Sequence, residues 1–233
     1  MAFSLPPSLS PANLPRSIEA RVPAKILRDM TNRLRFGSEA PLSDECLYVD
    51  PAEITRLYTP GKGAPNFRRG DSGRVVPGEW DTHLSREGGS IKFRACLAHF
   101  RDGVPWEETG LWEEMRARIA RHGSYDGLKT MQDIHARYAA LDRLAQEARS
   151  TGRLKSRAEL PNGYFRREHG GIYVHVTRTG EVVRAGGGQH RFALARALEL
   201  PEIPVQLGVI HTGALDIGAL RGLRRSRYEA GRG

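Results

Sequence analysis

The sequence predicts an α+β or α/β chain with a small mixed β-sheet and an inserted helical lobe. One observation is the order of the predicted elements, which runs strand, helices, hairpin, glycine loop, helix and strand. Another is size, since the chain has 233 residues, of which 39% are hydrophobic. A chain of this length buries about 70% of its unfolded surface, enough for one core with a helical annex.

The first part of the chain is predicted to be an arm followed by a domain. Residues 1–45 contain several prolines and little periodicity, which predicts an extended arm apart from a short helix around Ala24–Leu34. The domain is expected to cover residues 46–211 and to open with a short strand and an Asp-Pro turn in Cys46–Ile54. The polar stretch Thr59–Asp81 is rich in glycine, proline and charge, so it predicts a long surface loop.

The inserted lobe is predicted at about residues 90–152, where three helical segments follow one another. Their ends show proline or acidic residues early, arginine late and glycine after the last turn. The predicted helical segments are Ser90–Gly103, Pro105–Gly123 and Thr130–Gly152.

The last part of the domain returns to β-structure. Alternation of apolar and polar residues across Ile172–Ala185 predicts a hairpin, and a helix is expected at about His190–Glu199. Ile203–His211 is β-rich. The tail, residues 212–233, is rich in arginine and glycine, and we expect it to be basic and disordered.

Three glycines stand between the hairpin and the next helix. A strand that ends at glycines and leads into a helix directs several backbone N–H groups and the positive end of the helix dipole at one spot, which suits phosphate. The same pattern also fits a plain turn, and it lacks the spacing of a Walker loop or a dinucleotide fingerprint. On the phosphate interpretation the binding residues are Gly186, Gly187, Gly188, Gln189, His190 and Arg191.

The charge of the chain favours an anionic partner. Lys and Arg number 36 against 27 Asp and Glu, a formal net charge of +9, and the planar fork of arginine suits phosphate. A genome that prefers arginine codons explains the same excess. Charge alone therefore does not choose between nucleotide, nucleic acid and neither.

Cysteine positions and hydropathy argue against a metal-binding protein and against a membrane-spanning one. Cys46 and Cys96 lie far apart without metal-ligand spacing, and neither His175 nor His211 forms a spaced cluster with His190, so we expect no metal centre made by the chain alone. No apolar run approaches the roughly 18 residues of a membrane span. The sequence therefore predicts a cytoplasmic chain without a membrane partner.

The glycine segment also resembles a known superfamily. GGGQHRFALARALELPEIPV is similar to the glycine/His-Arg motif of the ParB/sulfiredoxin superfamily, and LYVDPAEI and GEVVRAGGGQHR resemble its opening strand and its hairpin. The resemblance covers roughly Leu47–His211 and fits a branch with helices inserted between that strand and the hairpin. It implies that the loop contacts the phosphates of ATP or CTP.

Departures from the superfamily exclude several of its activities. Gln189 stands where sulfiredoxins have their catalytic cysteine, so we do not expect sulfinic-acid reduction. The Gln-His-Arg box and the short remaining chain differ from the Glu-Arg-Arg box and the helix-turn-helix domain of ParB clamps. Gly187 stands where the free-serine kinases of the superfamily have an aspartate, so a catalytic acid has to come from elsewhere.

The resemblance implies a nucleoside-triphosphate-binding protein that is a small-molecule phosphotransferase or nucleotidase, with ATP or CTP and Mg²⁺. Phosphoryl transfer needs an acid–base group near the acceptor, and the candidate catalytic residues are Asp81, Glu107 and His190. Two alternatives stay open. One is a nucleic-acid-binding ParB-like module, supported by Phe67-Arg68-Arg69 and the arginine-rich tail. The other is a non-catalytic, nucleotide-regulated protein.

The inserted lobe has to pack somewhere, and we expect the phosphate-binding edge of the sheet to receive it. The residues expected to line a common cleft with His190 and Arg191 are Trp80, Asp81, Trp106 and Glu107. The alternative is that both tryptophans only seal the helical lobe and both acids face solvent.

Overall fold

The computed structural model describes Ile18, residues 20–160 and residues 167–227. Seven α-helices lie within these residues: α1 (Val22–Phe36), α2 (Ile91–Phe100), α3 (Leu111–His122), α4 (Met131–Thr151), α5 (Gln189–Ala197), α6 (Thr212–Asp216) and α7 (Leu220–Leu223). The same residues form seven strands: β1 (Cys46–Val49), β2 (Arg56–Tyr58), β3 (Val75–Val76), β4 (Leu84–Arg86), β5 (Ile172–Val176), β6 (Val182–Arg184) and β7 (Ile203–His211).

The seven strands form one open, mixed sheet. The strand order is β1-β7-β5-β6-β2-β4, and β3 pairs with β7 outside this path. The pairs β5–β7, β2–β6 and β3–β7 are parallel, whereas β1–β7, β5–β6 and β2–β4 are antiparallel. The predicted α+β class with a mixed sheet is therefore confirmed.

The two central strands, β5 and β7, carry the core of the sheet. All five residues of β5 are buried, as are the first eight of the nine residues of β7. Both faces of these strands are thus covered, which explains why their sequences are almost continuously apolar. Because β5 and β6 are antiparallel, the residues before Ile172 and those after Arg184 lie at the same end of the sheet.

The chain divides into two compact units. The sheet unit contains all seven strands with α1, α6 and α7, and consists of residues 1–87, 155–188 and 202–233. The helical unit contains α2 to α5 and consists of residues 88–154 and 189–201. The glycine run therefore ends the sheet unit, and the helix that follows it belongs to the helical unit.

The helical unit is built from the expected helices with local signals at their ends. Ser90 accepts a hydrogen bond from the Phe93 backbone N–H at the start of α2, and Thr130 with Asp133 forms a capping box at the start of α4. The rings of Phe93 and Phe192, whose centroids are 5.9 Å apart, pack α2 against α5.

Among the helices of the described residues, none is long and apolar enough to cross a lipid bilayer.

One predicted helix is interrupted. The segment predicted as Pro105–Gly123 forms a 3-10 turn over Trp106–Thr109, and α3 begins only at Leu111. Gly110, between the two, has a φ of 73°. This left-handed conformation breaks the helix, and glycine adopts it at little cost.

The two ends of the chain are more ordered than the sequence predicts. The short helix predicted around Ala24–Leu34 is confirmed and extends over Val22–Phe36, and polar side chains of this helix are hydrogen-bonded to the rest of the sheet unit. The tail forms α6 and α7, and Arg224 donates hydrogen bonds to Glu45 and to the Ala40 carbonyl. The expectation of a disordered tail is therefore wrong for residues 212–227, and residues 228–233 lie outside the described part.

The segment Thr59–Asp81, predicted to be one long loop, contains short regular elements. It contains β3 and two 3-10 turns, and it is flanked by β2 and β4, which pair with each other. Strands of three residues are too short for alternation to identify them.

An aromatic cluster in the sheet unit surrounds His175. The rings of Tyr58, Phe67, Trp80 and Tyr173 lie 5.2–5.7 Å from the His175 ring. The Val209 backbone N–H donates to Nδ1 of His175 at 3.1 Å. Burial lowers the pKa of His175 to about 3, so this ring is neutral in the folded protein at pH 7.

We expect His175 to make the fold sensitive to mild acid. The unfolded histidine gains a proton below pH 6.5 and the folded one does not until about pH 3, so stability is complete above pH 6.5 and falls as the pH decreases. One such histidine contributes a slope approaching 1.4 kcal/mol per pH unit. In His175→Asn, whose side-chain oxygen replaces Nδ1 as acceptor, the slope of unfolding free energy between pH 6.5 and 5 should be smaller by about this amount. Denaturant titrations at several pH values measure it, and equal slopes would contradict the assignment.

Candidate functional site

The glycine run lies where the sequence predicts it, between the end of β6 and the start of α5. Gly186, Gly187 and Gly188 have φ values of 83°, 45° and 67°. L-amino acids with side chains rarely adopt such values. The loop conformation therefore favours glycine at three consecutive positions.

Close packing adds a second requirement at two of these positions. A Cβ atom on Gly187 would overlap the guanidinium of Arg69, and one on Gly188 would lie 2.6 Å from the Ile172 Cα. A Cβ on Gly186 would meet no atom within 4 Å. The close approach at Gly187 and Gly188 is thus made by the protein itself, and the open space is beside Gly186.

Arg69 brings a positive charge directly to the glycine run. Its guanidinium donates to the side-chain oxygen of Gln206 and, at 2.8 Å, to the Gly171 carbonyl, and it lies 5.3 Å from the centre of the Tyr173 ring. Burial lowers the pKa of Arg69, but an arginine pKa starts so high that the group stays charged at pH 7. The loop therefore has a fixed cation packed against its backbone.

This arginine also bears on the nucleic-acid interpretation. Arg69 packs on Tyr173, and the neighbouring Phe67 packs on Tyr58 and Trp80. Phe67 is thus committed to the aromatic cluster. Phe67 remains partly exposed and Arg68 is exposed, so the nucleic-acid interpretation stays a prediction.

Gln206 connects Arg69 to a buried ion pair. Its amide nitrogen donates to Asp44 at 2.7 Å, and Lys25 donates to the same carboxylate at 2.7 Å. Lys25, Asp44 and Gln206 are each 0% exposed. Nδ1 of His169 lies 3.1 Å from Oδ1 of Asp44, and the His169 side chain is partly exposed. A continuous polar network therefore runs from α1 through the sheet to the glycine run.

Electrostatics keeps the buried carboxylate ionised. Burial by itself raises the pKa of Asp44, but the hydrogen bond with His169 and the charge of Lys25 outweigh it, so the pKa lies below its usual value. Asp44 also has a φ of 56°, which aspartate and asparagine adopt more readily than most residues. Sequence reasoning missed this network because its members are spread from residue 25 to residue 206, and a lone lysine or glutamine gives no local signal.

The residues after the glycines belong to the helical unit, where two of them have defined partners. Nε2 of His190 lies 3.0 Å from the Tyr138 hydroxyl, and the Gln189 amide bonds to the Ser90 hydroxyl. Burial, together with the charges of Lys92 and Arg137, lowers the pKa of His190 to about 4. At pH 7 this ring is neutral, so it acts as a hydrogen-bonding group and adds no charge.

The candidate acids have different surroundings. Asp81 is buried and accepts hydrogen bonds from the backbone and guanidinium of Arg178 at 2.6–3.1 Å. Burial raises the pKa of Asp81, but the Arg178 bonds more than compensate and the pKa is lowered. Glu107 is exposed in the 3-10 turn before α3. The low pKa of Asp81 suits a structural ion pair better than proton transfer.

The two tryptophans expected to line the cleft are buried in different units. Trp80 belongs to the aromatic cluster of the sheet unit, and Trp106 stacks on His99 in the helical unit, with centroids 4.0 Å apart. Trp106 and His190 both contact the Tyr138 ring, with centroids 4.7 and 5.5 Å away. The helical unit therefore brings Trp106 and His190 together, and the wider cleft stays a prediction.

No group of three or more His, Cys, Asp or Glu side chains in the described residues is arranged to hold a metal ion. Comparison with protein-family models, curated proteins and solved structures finds no match to this chain.

Alanine substitutions along the glycine run should separate backbone strain from close packing. Gly186→Ala meets only the left-handed φ and should cost about 1–2 kcal/mol of unfolding free energy. Gly187→Ala also has to displace the flexible end of Arg69, and Gly188→Ala meets the Ile172 backbone, which cannot move away. We expect the loss to be greatest for Gly188→Ala in denaturant titrations. A loss no greater than that of Gly186→Ala would contradict the described packing.

Breaking the buried ion pair from one side should be costly. Lys25→Met leaves the Asp44 charge buried and should destabilise the protein by about 3–5 kcal/mol, whereas Lys25→Met with Asp44→Asn removes both charges and should cost less. Arg33→Met, on the exposed side of the same helix, is the control. Urea unfolding measures all three, and a double variant less stable than the single one would show that the charges are not paired as described.

Proposed function

We propose that this chain is a nucleoside-triphosphate-binding protein of the ParB/sulfiredoxin type, in which the continuous segment Gly186–Arg191 holds the phosphates. The observation that carries the proposal is the glycine run itself. Three left-handed glycines join a strand to a helix, with the Arg69 cation packed on Gly187. This combination of backbone N–H donors, a helix start and a fixed positive charge suits a phosphate group.

Features of α5 support an anion at its start. The helix has nine residues and no acidic side chain in its first turn, so no carboxylate of its own competes for the terminal N–H groups. Arg191 lies in that first turn and is half-buried. A guanidinium in this position makes forked contacts with phosphate oxygens, and the neutral His190 adds a hydrogen bond.

The resemblance favours ATP or CTP with Mg²⁺ as the ligand. Magnesium bound to a nucleotide is held largely by phosphate oxygens and water, so it does not require a cluster of protein carboxylates. Residues of the sheet unit fit such a ligand in two respects: open space remains beside Gly186, and the Arg69 guanidinium lies against Gly187.

The catalytic half of the proposal is a phosphotransferase or nucleotidase acting on a small-molecule acceptor, with His190, Glu107 and Asp81 as the acid–base candidates. The Asp81–Arg178 pair is an argument against Asp81, since that carboxylate would have to leave its partner before accepting a proton. The same observation favours the second candidate function, a nucleotide-regulated protein without turnover.

Calorimetry with ATP and with CTP, each with magnesium, tests the binding. Arg191→Ala should weaken binding about tenfold to a hundredfold, since a charged forked contact contributes roughly 1.5–3 kcal/mol. Arg196→Ala, at the last turn of the same helix, is the matched control and should bind like the parent protein. Unchanged affinity in Arg191→Ala, or no binding of either nucleotide to the parent protein, would refute the proposal.

Turnover is tested separately by phosphate release with each of the four common nucleotides. Release that is lost in His190→Gln while binding is retained would support the enzyme. Binding without release would leave the nucleotide-regulated function.

A further inference from the structure

Helix α1 has its polar side facing the protein. Its buried polar residues, Lys25, Asp29 and Asn32, are spaced four and three apart. Besides the Lys25 ion pair, Asp29 accepts a hydrogen bond from the Ser43 backbone N–H at 2.7 Å, and Asn32 donates to the Pro41 carbonyl at 2.7 Å. These bonds fix the rotation of the helix about its axis. A surface helix normally buries its apolar side, whereas α1 buries its polar side.

The apolar side of α1 is exposed as a consequence. Four large apolar side chains, with exposed fractions of 49%, 66%, 60% and 88%, line it: Ile26, Leu27, Met30 and Leu34. Elsewhere in the described residues the exposed large apolar side chains are Ile18 and Ile217. Within that part of the chain, exposed apolar surface is thus concentrated on one helix, and such patches mark interaction sites.

The spacing of this surface matches another helix. Pro23, in the first turn, is followed by Leu27, Met30 and Leu34 at intervals of four, three and four residues, which is the seam of a coiled-coil pair. All four are exposed. A helix of 15 residues is about 22 Å long. The seam therefore spans most of the length of α1 and is one helix wide.

The charges beside the seam indicate the chemistry of that helix. Arg33 and Arg35 are exposed, and Asp29, the one acidic residue of α1, is buried. A second copy of the chain would bring two arginine-rich borders together, and like charges repel across such a seam. Aspartate and glutamate on the approaching helix would attract them.

We propose that α1 docks an acidic amphipathic helix of a partner protein, with an apolar seam on Leu27, Met30 and Leu34 and carboxylates beside Arg33 and Arg35. This proposal does not rest on the proposed nucleotide binding, because it uses none of the residues of the glycine segment.

Two synthetic peptides test the proposal. Both have about three heptads with leucine along the seam, one with glutamate and the other with lysine at the flanking positions. In fluorescence anisotropy titrations the full chain should bind the glutamate peptide at least about tenfold more tightly, and added salt should narrow the difference. The variant Leu27→Ser with Met30→Ser should lose the binding. Ile217→Ser, at another exposed apolar position, should retain it.

Reversing the charge of the two arginines is a more specific test than removing the apolar side chains. Arg33→Glu with Arg35→Glu changes only exposed side chains of α1 and should reverse the preference in favour of the lysine peptide. Circular dichroism and thermal unfolding check that each variant is folded.

Equal affinity for the two peptides, or an unchanged preference after charge reversal, would overturn the proposal. Sedimentation of the chain alone supplies a further outcome: a dimer that Leu27→Ser with Met30→Ser dissociates would make a second copy the occupant. Flotation with phosphatidylserine-containing vesicles that depends on the same side chains would make it a membrane surface. Either result would replace the acidic helix.

Discussion

The ion pair between Lys25 and Asp44 is the interaction on which the arrangement of the sheet unit depends. Both side chains are fully buried, and a buried charge is tolerated only when it is paired and hydrogen-bonded. Asp44 meets this condition through Lys25, His169 and Gln206 together. Since Lys25 is on α1 and Gln206 is on β7, the pair attaches the helix to the central strand. Ordinary apolar packing would have turned α1 the other way.

The same constraint reaches the glycine run through one side chain. Gln206 uses its nitrogen for Asp44 and its oxygen for Arg69, so its orientation is set from both sides. Arg69 is thereby held against Gly187. For the proposed phosphate ligand, a guanidinium whose position is already fixed would lose little conformational entropy on binding, and preorganisation of this kind improves affinity without adding contacts.

Local signals in the sequence predicted the fold where they were strong. The glycines mark the junction between β6 and α5, and Ile203–His211 is a strand over its whole predicted length. The site was only partly predictable, because its partners come from distant segments. Arg178 lies 97 residues from Asp81, and nothing in the loop around Asp81 indicates that its carboxylate is already engaged. The burial of the polar side of α1 could not be predicted for the same reason. Periodicity shows that a helix has an apolar face, but it does not show which face packs against the rest of the protein.

The helical unit is assembled from two stretches of chain that are separated by the β5–β6 hairpin. During synthesis α2, α3 and α4 leave the ribosome first, and α5 follows only after the hairpin. Phe192 on α5 is 0% exposed in the finished protein, so the surface that receives it has to wait, uncovered, for about 40 residues of further synthesis, or several seconds at ordinary elongation rates. A nascent chain stalled before Gln189, where α5 begins, would therefore present an incomplete helical core to chaperones and proteases. The order of the elements along the chain thus creates an interval during synthesis in which chaperones and proteases can recognise the uncovered helical core.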